Sequence, residues 1–264
     1  MIVLMTDFGA ADPYAGIMKG VIKGISPASD IIDLTHDIPP QNIPVGYFVL
    51  KHSCMHFPRG TVFAAVVDPG VGTSRKAIAV KTKDFIFLGP DNGILGFVRE
   101  EGFGLEEIRE IANREYFYRK EPGTTFHGRD VFAPVAAHID RGADFESLGR
   151  NLDSITTMQI PARRITEKGV EIPLLHIDHF GNMIYSITED DFRGVTRNGD
   201  FTLTLMGHAV TEISEHYRSD HPLIALFNSY GLLEIAAPSG NAASMVGLAK
   251  GATGEQVYVR LLIP

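Results

Sequence analysis

Apolar positions along the first thirty-five residues change period twice. Ile2 to Met5 form an unbroken apolar run of strand-forming residues, and Thr6-Asp7-Phe8-Gly9 follows as a turn. Asp12 and Pro13 then read as the N-cap and first residue of a helix. Tyr14, Ile17, Met18, Val21, Ile22 and Ile25 recur at helical spacing, and Ser26-Pro27 ends the run. Ile31 to Leu34 reads as a second strand. Strand, helix, strand is the opening of a parallel α/β sheet. A further helix is predicted over 43–56. Thr61 to Val67 is near-continuously apolar, as a strand buried on both faces should be. The loop 68–75 follows it. Strands are predicted over 77–80 and 85–88, a tight turn over 89–93, and a helix over 131–140.

The texture changes beyond residue 150. Residues 151–169 are irregular, polar and basic, and they mark a boundary. The expected division is an N-terminal α/β domain with a mostly parallel sheet (1–155), a linker (156–169) and a smaller C-terminal domain (170–264). In the last, short strands over 170–177, 183–187, 201–206, 208–213, 223–227, 232–236 and 256–263 alternate with turn residues and leave little room for helix. That is the pattern of an all-β, barrel-like domain. No internal repeat is present.

Composition narrows the classes of function. The 264 residues are 44% hydrophobic and 21% charged, a globular balance. The formal net charge of −8 lacks the basic excess needed for nucleic acid or an anionic membrane surface. Cys54 is the only cysteine, which excludes an intrachain disulfide and a zinc ribbon. No apolar run reaches the ~18 residues of a membrane span, and no basic leader precedes the first strand. A soluble, cytoplasmic protein is expected, with neither nucleic acid nor membrane as partner.

Four polar loops adjoin strong strands: residues 6–9, 68–75, 124–130 and 178–182. In a parallel α/β sheet the loops at the carboxyl ends of strands converge on the ligand crevice, so Asp7 and Asp68 should share it. A carboxylate after a strand also serves as a plain turn-former. Gly70 and Gly72 belong to neither phosphate-loop pattern, and they fit a close backbone approach instead. A metal-hydrolase cluster of Asp7, His36, Asp37, Asp68, His127 and Asp130 lacks ligand spacing at any pair. No G-x-S-x-G elbow is present, and Cys54 lies within an apolar helical pattern.

Taken in order, MTDFGAAD, GTVFAAVVDPGVGTSRKAI, LGPDNG, TFHGRDVFAP, IDHFGN, FNSYGLLEIA and GNAAS resemble the S-adenosylmethionine hydroxide adenosyltransferases, relatives of fluorinase and chlorinase. The resemblance spans essentially the whole chain. It implies an α/β domain followed by a β-barrel-like domain, and a homotrimer with sites between subunits. It implies S-adenosylmethionine as substrate, adenosine as product, and neither metal nor cofactor. Asp68, Arg75 and His127 match the trio that marks the hydroxide-using branch. The fluorinase has Ser at the position of His127 and Tyr at that of Asp68, so this chain departs from the halide pattern twice. Asp7 matches the residue that grips the ribose hydroxyls, and Asp178 the carboxylate that holds the methionine amine. Phe180 and Asn182 match an adenine-stacking ring and an adenine-bonding amide. Ser229 matches a contact to the methionine end, Gly240 and Ala242 a backbone contact to the adenine edge, and Asp12 a position near the methionine tail. IDHFGN lacks one residue that the fluorinase carries between its His and Phe.

The implied reaction is attack of water at the ribose 5′ carbon, giving adenosine and methionine. The sulfonium leaves as a neutral thioether and needs no acid. Lowering the pKa of water from about 15.7 to about 7 would take roughly 12 kcal/mol, more than three side chains supply without a metal. Proton removal within the transition state is therefore expected. His127 is the natural acceptor near neutral pH, Asp68 would orient water or base, and Arg75 would fix Asp68 bidentately. Asp68 as base with His127 as its orienter is the alternative. Rival readings are a halide-using adenosyltransferase, a non-catalytic S-adenosylmethionine or adenosine binder, and a metal hydrolase.

Overall fold

The computed structural model describes residues 1–159, 161–249, 252 and 254–263. The chain divides into two compact units, Met1–Met158 and Gln159–Pro264.

The first unit is built on β1 (Ile2–Thr6), α1 (Tyr14–Ile25), β2 (Ile31–Thr35), α2 (Ile43–Ser53), β3 (Val62–Val66), β4 (Ala77–Thr82), β5 (Ile86–Pro90), β6 (Leu105–Glu110) and α3 (Ala133–Asp140). Its sheet runs β2-β1-β3-β5-β4-β6. Pairing is parallel from β2 through β5, and β4 and β6 complete it antiparallel. Every residue of β1 and β3 is buried, which explains their unbroken apolar runs. Ile2, Leu4, Val62, Ala64 and Val66 pack with Met18 and Ile22 of α1 and with Val135 and Ala136 of α3. Beside them, Phe63 stacks on Phe87 at 5.2 Å, and Phe97 meets Phe87 and Tyr47 edge-on.

Several expected boundaries shift for local reasons. Pro13 rather than Asp12 takes the N-cap of α1, without a side-chain cap, and Asp12 is exposed ahead of it. The helix expected over 43–56 is α-helical only to Ser53 and closes with a 3₁₀ turn over Cys54–His56. The helix expected over 131–140 is preceded by one wide π turn, Gly128–Phe132, with the Ala133 N–H bonded to the Gly128 carbonyl. Strand β6 escapes the sequence pattern because five of its six residues, LEEIRE, are charged or exposed at the sheet edge. There Arg109 Nε donates 2.6 Å to Glu107.

The second unit contains β7 (Arg164–Thr166), β8 (Gly169–Ile177), β9 (Met183–Thr188), α4 (Glu189–Thr196), β10 (Thr202–Leu205), β11 (His208–Val210), β12 (Ile224–Phe227), β13 (Leu232–Ala236), α5 (Ala242–Met245) and β14 (Gly254–Leu262). Its antiparallel sheet runs β11-β10-β14-β8-β9-β13-β12, with β7 also on β8. It curls around Leu174, Tyr185, Leu203, Ala225, Leu233 and Val259 as a barrel-like layer. Helix α4 is an addition to the expected run of strands. Its signal is a cap: the Thr188 hydroxyl accepts from Asp191 N at 3.2 Å, and Glu189, Asp190 and Asp191 fill the first turn.

Candidate active site

Thr6 pairs with Val66 in the parallel register of β1 and β3. The chain therefore leaves both strands at the same carboxyl edge, with Asp7 just past one and Asp68 just past the other. The charge of Asp68 acts on Asp7. Burial is the largest influence on the Asp7 carboxyl and raises its pKa above 3.8, the hydrogen bond from Gln41 N opposes that, and Asp68 adds to the rise.

The Asp7 turn is held by the loop after β2. Gly9 N donates 2.8 Å to the His36 carbonyl, and the His36 ring meets the Thr6 hydroxyl through Nδ1 at 2.9 Å. Gln41 N donates 2.7 Å to Asp7 Oδ2, from a residue at φ +63°. A non-glycine residue in the left-handed region is uncommon and costs strain, so the donation is a constructed feature.

Asp68 and Arg75 close the loop 68–75. Arg75 Nε donates 2.9 Å to Asp68 Oδ1, and Nη2 donates to Oδ2, a fork-to-fork pair. Their side chains are 4% and 11% exposed, so this is a largely desolvated pair. The guanidinium lies 5.7 Å over the Phe132 ring. Gly72, at φ +76°, runs so close to the next loop that a Cβ there would sit 2.2 Å from the Thr124 carbonyl oxygen. That approach brings His127 to Arg75, whose Nη2 donates 2.8 Å to His127 Nδ1. A guanidinium has no acceptor, so Nδ1 accepts and the neutral ring carries its proton on Nε2. Burial, then the charge of Arg75, holds the His127 pKa below 6.5, against Asp68, Asp130 and a backbone hydrogen bond at Gly123. At neutral pH the imidazole is uncharged.

Phe8, Tyr14 and Phe126 clasp the two turns edge-to-face, at 5.3 to 5.9 Å between centroids. A side chain at Gly128 would press on Phe8, Phe126 and Met18 within 3.2 Å. Asp130, fully buried, takes two hydrogen bonds from Arg129 and one from Gly123 N, and so anchors the π turn beneath His127. His36 and Asp130 thus hold loops. Among the described residues no group of three or more His, Cys, Asp or Glu side chains is gathered as metal ligands.

In the second unit one turn holds three candidates. Asn182 donates to Asp178 through its backbone N–H (2.8 Å) and Nδ2 (3.1 Å), and Phe180 projects, 71% exposed, at the tip. Gly181, at φ +86°, lies where a Cβ would come within 2.2 Å of the Asn241 side chain. Ala243 N donates 2.9 Å to the Gly181 carbonyl, so Gly240 and Ala242 stand beside this turn. Ala242 is buried, and Gly240 and Ser229 are exposed. Ile235 of β13 pairs with Met183, and Met183 with Ile177, so β13 runs beside the Asp178 turn, and the charge of Asp178 is felt by Tyr217 and Glu234. Asp12 has no described contact with Asp7, Asp68 or Arg75. The sequence pattern passed over Gln41, Phe8, Phe126, Tyr217 and Glu234. Only Glu234 carried a signal, a charge in the middle of an apolar strand.

An α/β unit with a carboxylate–guanidinium–imidazole chain at its strand ends, followed by a barrel-like unit with a carboxylate–amide turn, defines a class of small-molecule enzyme. Family models described as the S-adenosylmethionine hydroxide adenosyltransferase N-terminal and C-terminal domains match residues 2–149 and 173–255. The chain belongs to the S-adenosylmethionine hydroxide adenosyltransferase family. An (R)-S-adenosyl-L-methionine hydrolase of Methanocaldococcus jannaschii is 34% identical, over 94% of this chain and 92% of its own. A fluorinase of an Actinoplanes species is 29% identical over 72% of each chain. The crystal structure of an uncharacterized conserved protein from Thermotoga maritima superposes with a TM-score of 0.88 at 39% identity, covering 99% of this chain and 100% of that one.

Proposed function

We propose that this protein hydrolyses S-adenosylmethionine at the ribose 5′ carbon, releasing adenosine, methionine and a proton. The observation that carries the reading is the hydrogen-bonded chain Asp68–Arg75–His127 beside Asp7, in a chain whose hydrolase relative matches over nearly its full length. The fluorinase match covers less of the chain at lower identity, and this favours water over halide. The relative's name specifies the (R) form, and we assign the same sulfonium epimer to this chain.

Water in line with the carbon–sulfur bond forms the C–O bond as the S–C bond breaks, and the electron pair leaves with the thioether. The attacking oxygen becomes strongly acidic as that bond forms, so even a modest base accepts its proton. While Arg75 donates to Nδ1 and the proton sits on Nε2, His127 offers no free lone pair. Each Asp68 oxygen takes one bond from Arg75 and keeps further acceptor capacity. This supports Asp68 as acceptor and His127 as orienter, the reverse of the roles expected first. Arg75 fixes both and stays protonated.

In the second unit Asp178 would take the methionine ammonium, Ser229 the same end of the substrate, and Phe180, Asn182 and the Gly240–Ala242 backbone the adenine. Asn182 already gives one Nδ2 hydrogen to Asp178, which leaves its amide oxygen and its second N–H for adenine. Asp7 would take the ribose hydroxyls, with Asp12 toward the methionine tail. No cofactor or metal enters the reaction, and the location is cytoplasmic. The domain limits 1–155 and 170–264 and a homotrimer with sites between subunits complete the proposal.

The test is turnover of each sulfonium epimer by chelator-treated protein in oxygen-18 water, with and without chloride. Heavy oxygen in adenosine at equal rates, fastest with the (R) form, is expected. A 5′-chloro product moves the chain to the halide branch, and bound substrate without product makes it a binder.

A further inference from the structure

We infer that Glu234 is a positioning residue for the amino-acid end of the substrate, locking the turn that carries Ser229 to the segment that carries Tyr217. The inference rests on the reading proposed above. Glu234 lies in the middle of β13, 3% exposed, between the core residues Leu233 and Ile235. A carboxylate at such a position is costly unless each oxygen is held. Here both are held by neutral donors. Tyr217 donates its hydroxyl 2.8 Å to Oε1, and Asn228 donates Nδ2 3.1 Å to Oε2.

The Asn228 bond does more than satisfy a buried oxygen. With Nδ2 committed to Glu234, the amide oxygen must face the other way. It accepts there from Tyr230 N at 2.9 Å and Leu232 N at 3.2 Å. The turn is closed again by Gly231 N on the Asn228 carbonyl (2.8 Å) and Asn228 N on the Leu232 carbonyl (3.0 Å). Ser229 is the next residue in this turn. Reversing the amide would set its NH₂ group against two backbone N–H donors and its oxygen against the Glu234 carboxylate, so Glu234 and those donors together fix which way Asn228 faces and hence where Ser229 stands.

The other oxygen ties down Tyr217, which lies in the irregular segment between β11 and β12 and is itself 51% exposed. One carboxylate therefore couples the Ser229 turn to the Tyr217 segment. Glu234 and Ile235 pair with Ile184 and Met183 of β9, and Met183 pairs with Ile177 of β8, so this part of β13 lies beside the strand ends that carry Asp178, the carboxylate assigned to the methionine ammonium. Methionine recognition thus depends on a residue that touches no substrate.

Glu234→Gln tests this. Glutamine keeps the size of the side chain but offers an acceptor to only one of the two donors. Steady-state kinetics are compared for S-adenosylmethionine and for 5′-deoxy-5′-dimethylsulfonioadenosine, which keeps the nucleoside and the sulfonium but lacks the amino-acid arm. The KM for S-adenosylmethionine should rise about tenfold, the scale of one charge-assisted hydrogen bond, with kcat within about twofold. The KM for the truncated sulfonium should stay within about twofold. Tyr217→Phe leaves Asn228 on the carboxylate and should give the same selectivity with a rise of about threefold, and it serves if Glu234→Gln does not fold. An unchanged KM for S-adenosylmethionine, or an equal rise for both substrates, overturns the inference while wild-type turnover leaves the functional reading standing. Absence of wild-type turnover overturns both.

Discussion

Arg75 contributes through geometry as much as charge. It spends two nitrogens on Asp68 and one of the two again on His127, an arrangement open to a planar fork and closed to an ammonium. Arg75→Lys should therefore lose most of kcat while KM moves little, measured by adenosine release. Arg75→Ala should also destabilise by about 3–5 kcal/mol in urea unfolding, because it strands a nearly buried carboxylate. His127 gives the pH prediction. Its pKa is held below 6.5, so between that lower value and 6.5 the unfolded chain binds more protons than the folded one. Stability falls as pH is lowered through that window. Activity falls with it, since a protonated Nδ1 opposes Arg75. The acid limb of kcat/KM should show a midpoint below 6.5, and His127→Gln should abolish both dependences. Survival of the acid limb in His127→Gln would assign it to Asp7, whose carboxyl is shifted upward.

At the scale of the element, the site is made by loops that pack on other loops. Gly72 is the contact between the 68–75 loop and the 123–127 loop. Gly72→Ala would add a Cβ 2.2 Å from a backbone oxygen, at a φ that L residues avoid. The loops must part, and His127 leaves Arg75. A loss of turnover of at least tenfold, with the far-ultraviolet circular dichroism unchanged, is the expected result. Gly181 has the same part in the second unit, where its obstacle is the side chain that caps α5 by accepting from Ser244 N at 2.7 Å. Gly181→Ala should cost about 2 kcal/mol, combining left-handed strain with a weakened cap, measured by denaturant unfolding.

For the whole molecule, division of labour follows from the two sheets. Parallel pairing gathers Asp7 and Asp68 at one strand edge of the first unit, where the attacking chemistry is assigned. Antiparallel hairpins set the Asp178 turn at the Met183 end of β9 and the Ser229 turn at its Thr188 end in the second unit, where the methionine- and adenine-binding groups are assigned. With the sulfonium positive and both products neutral, each turnover should release one proton, and a pH-stat trace against adenosine formed checks that ratio. The homotrimer is tested by light scattering, where a mass of one chain would remove the intersubunit site from the reading.

Much of this was present in residue order alone. Unbroken apolar runs mark β1 and β3 because strands covered on both faces admit nothing polar, and the polar loops after them mark the site because strand ends are where backbone turns outward. Asp7 and Asp68 stand out because they sit in those loops, and Arg75, His127, Asp178 and Asn182 could be named through the family resemblance that the loop motifs carry. Other features have no local signature. β6 is a charged edge strand, held by pairing with β4 rather than by its own pattern. Gln41 reaches Asp7, and Glu234 reaches Tyr217 and Asn228, across gaps in sequence that only folding closes. The tautomer of His127 is decided by a donor 52 residues away. Sequence determines which groups are available, because side-chain chemistry and periodicity are local. Tertiary structure decides which lone pairs are already taken, because hydrogen bonds are satisfied in space.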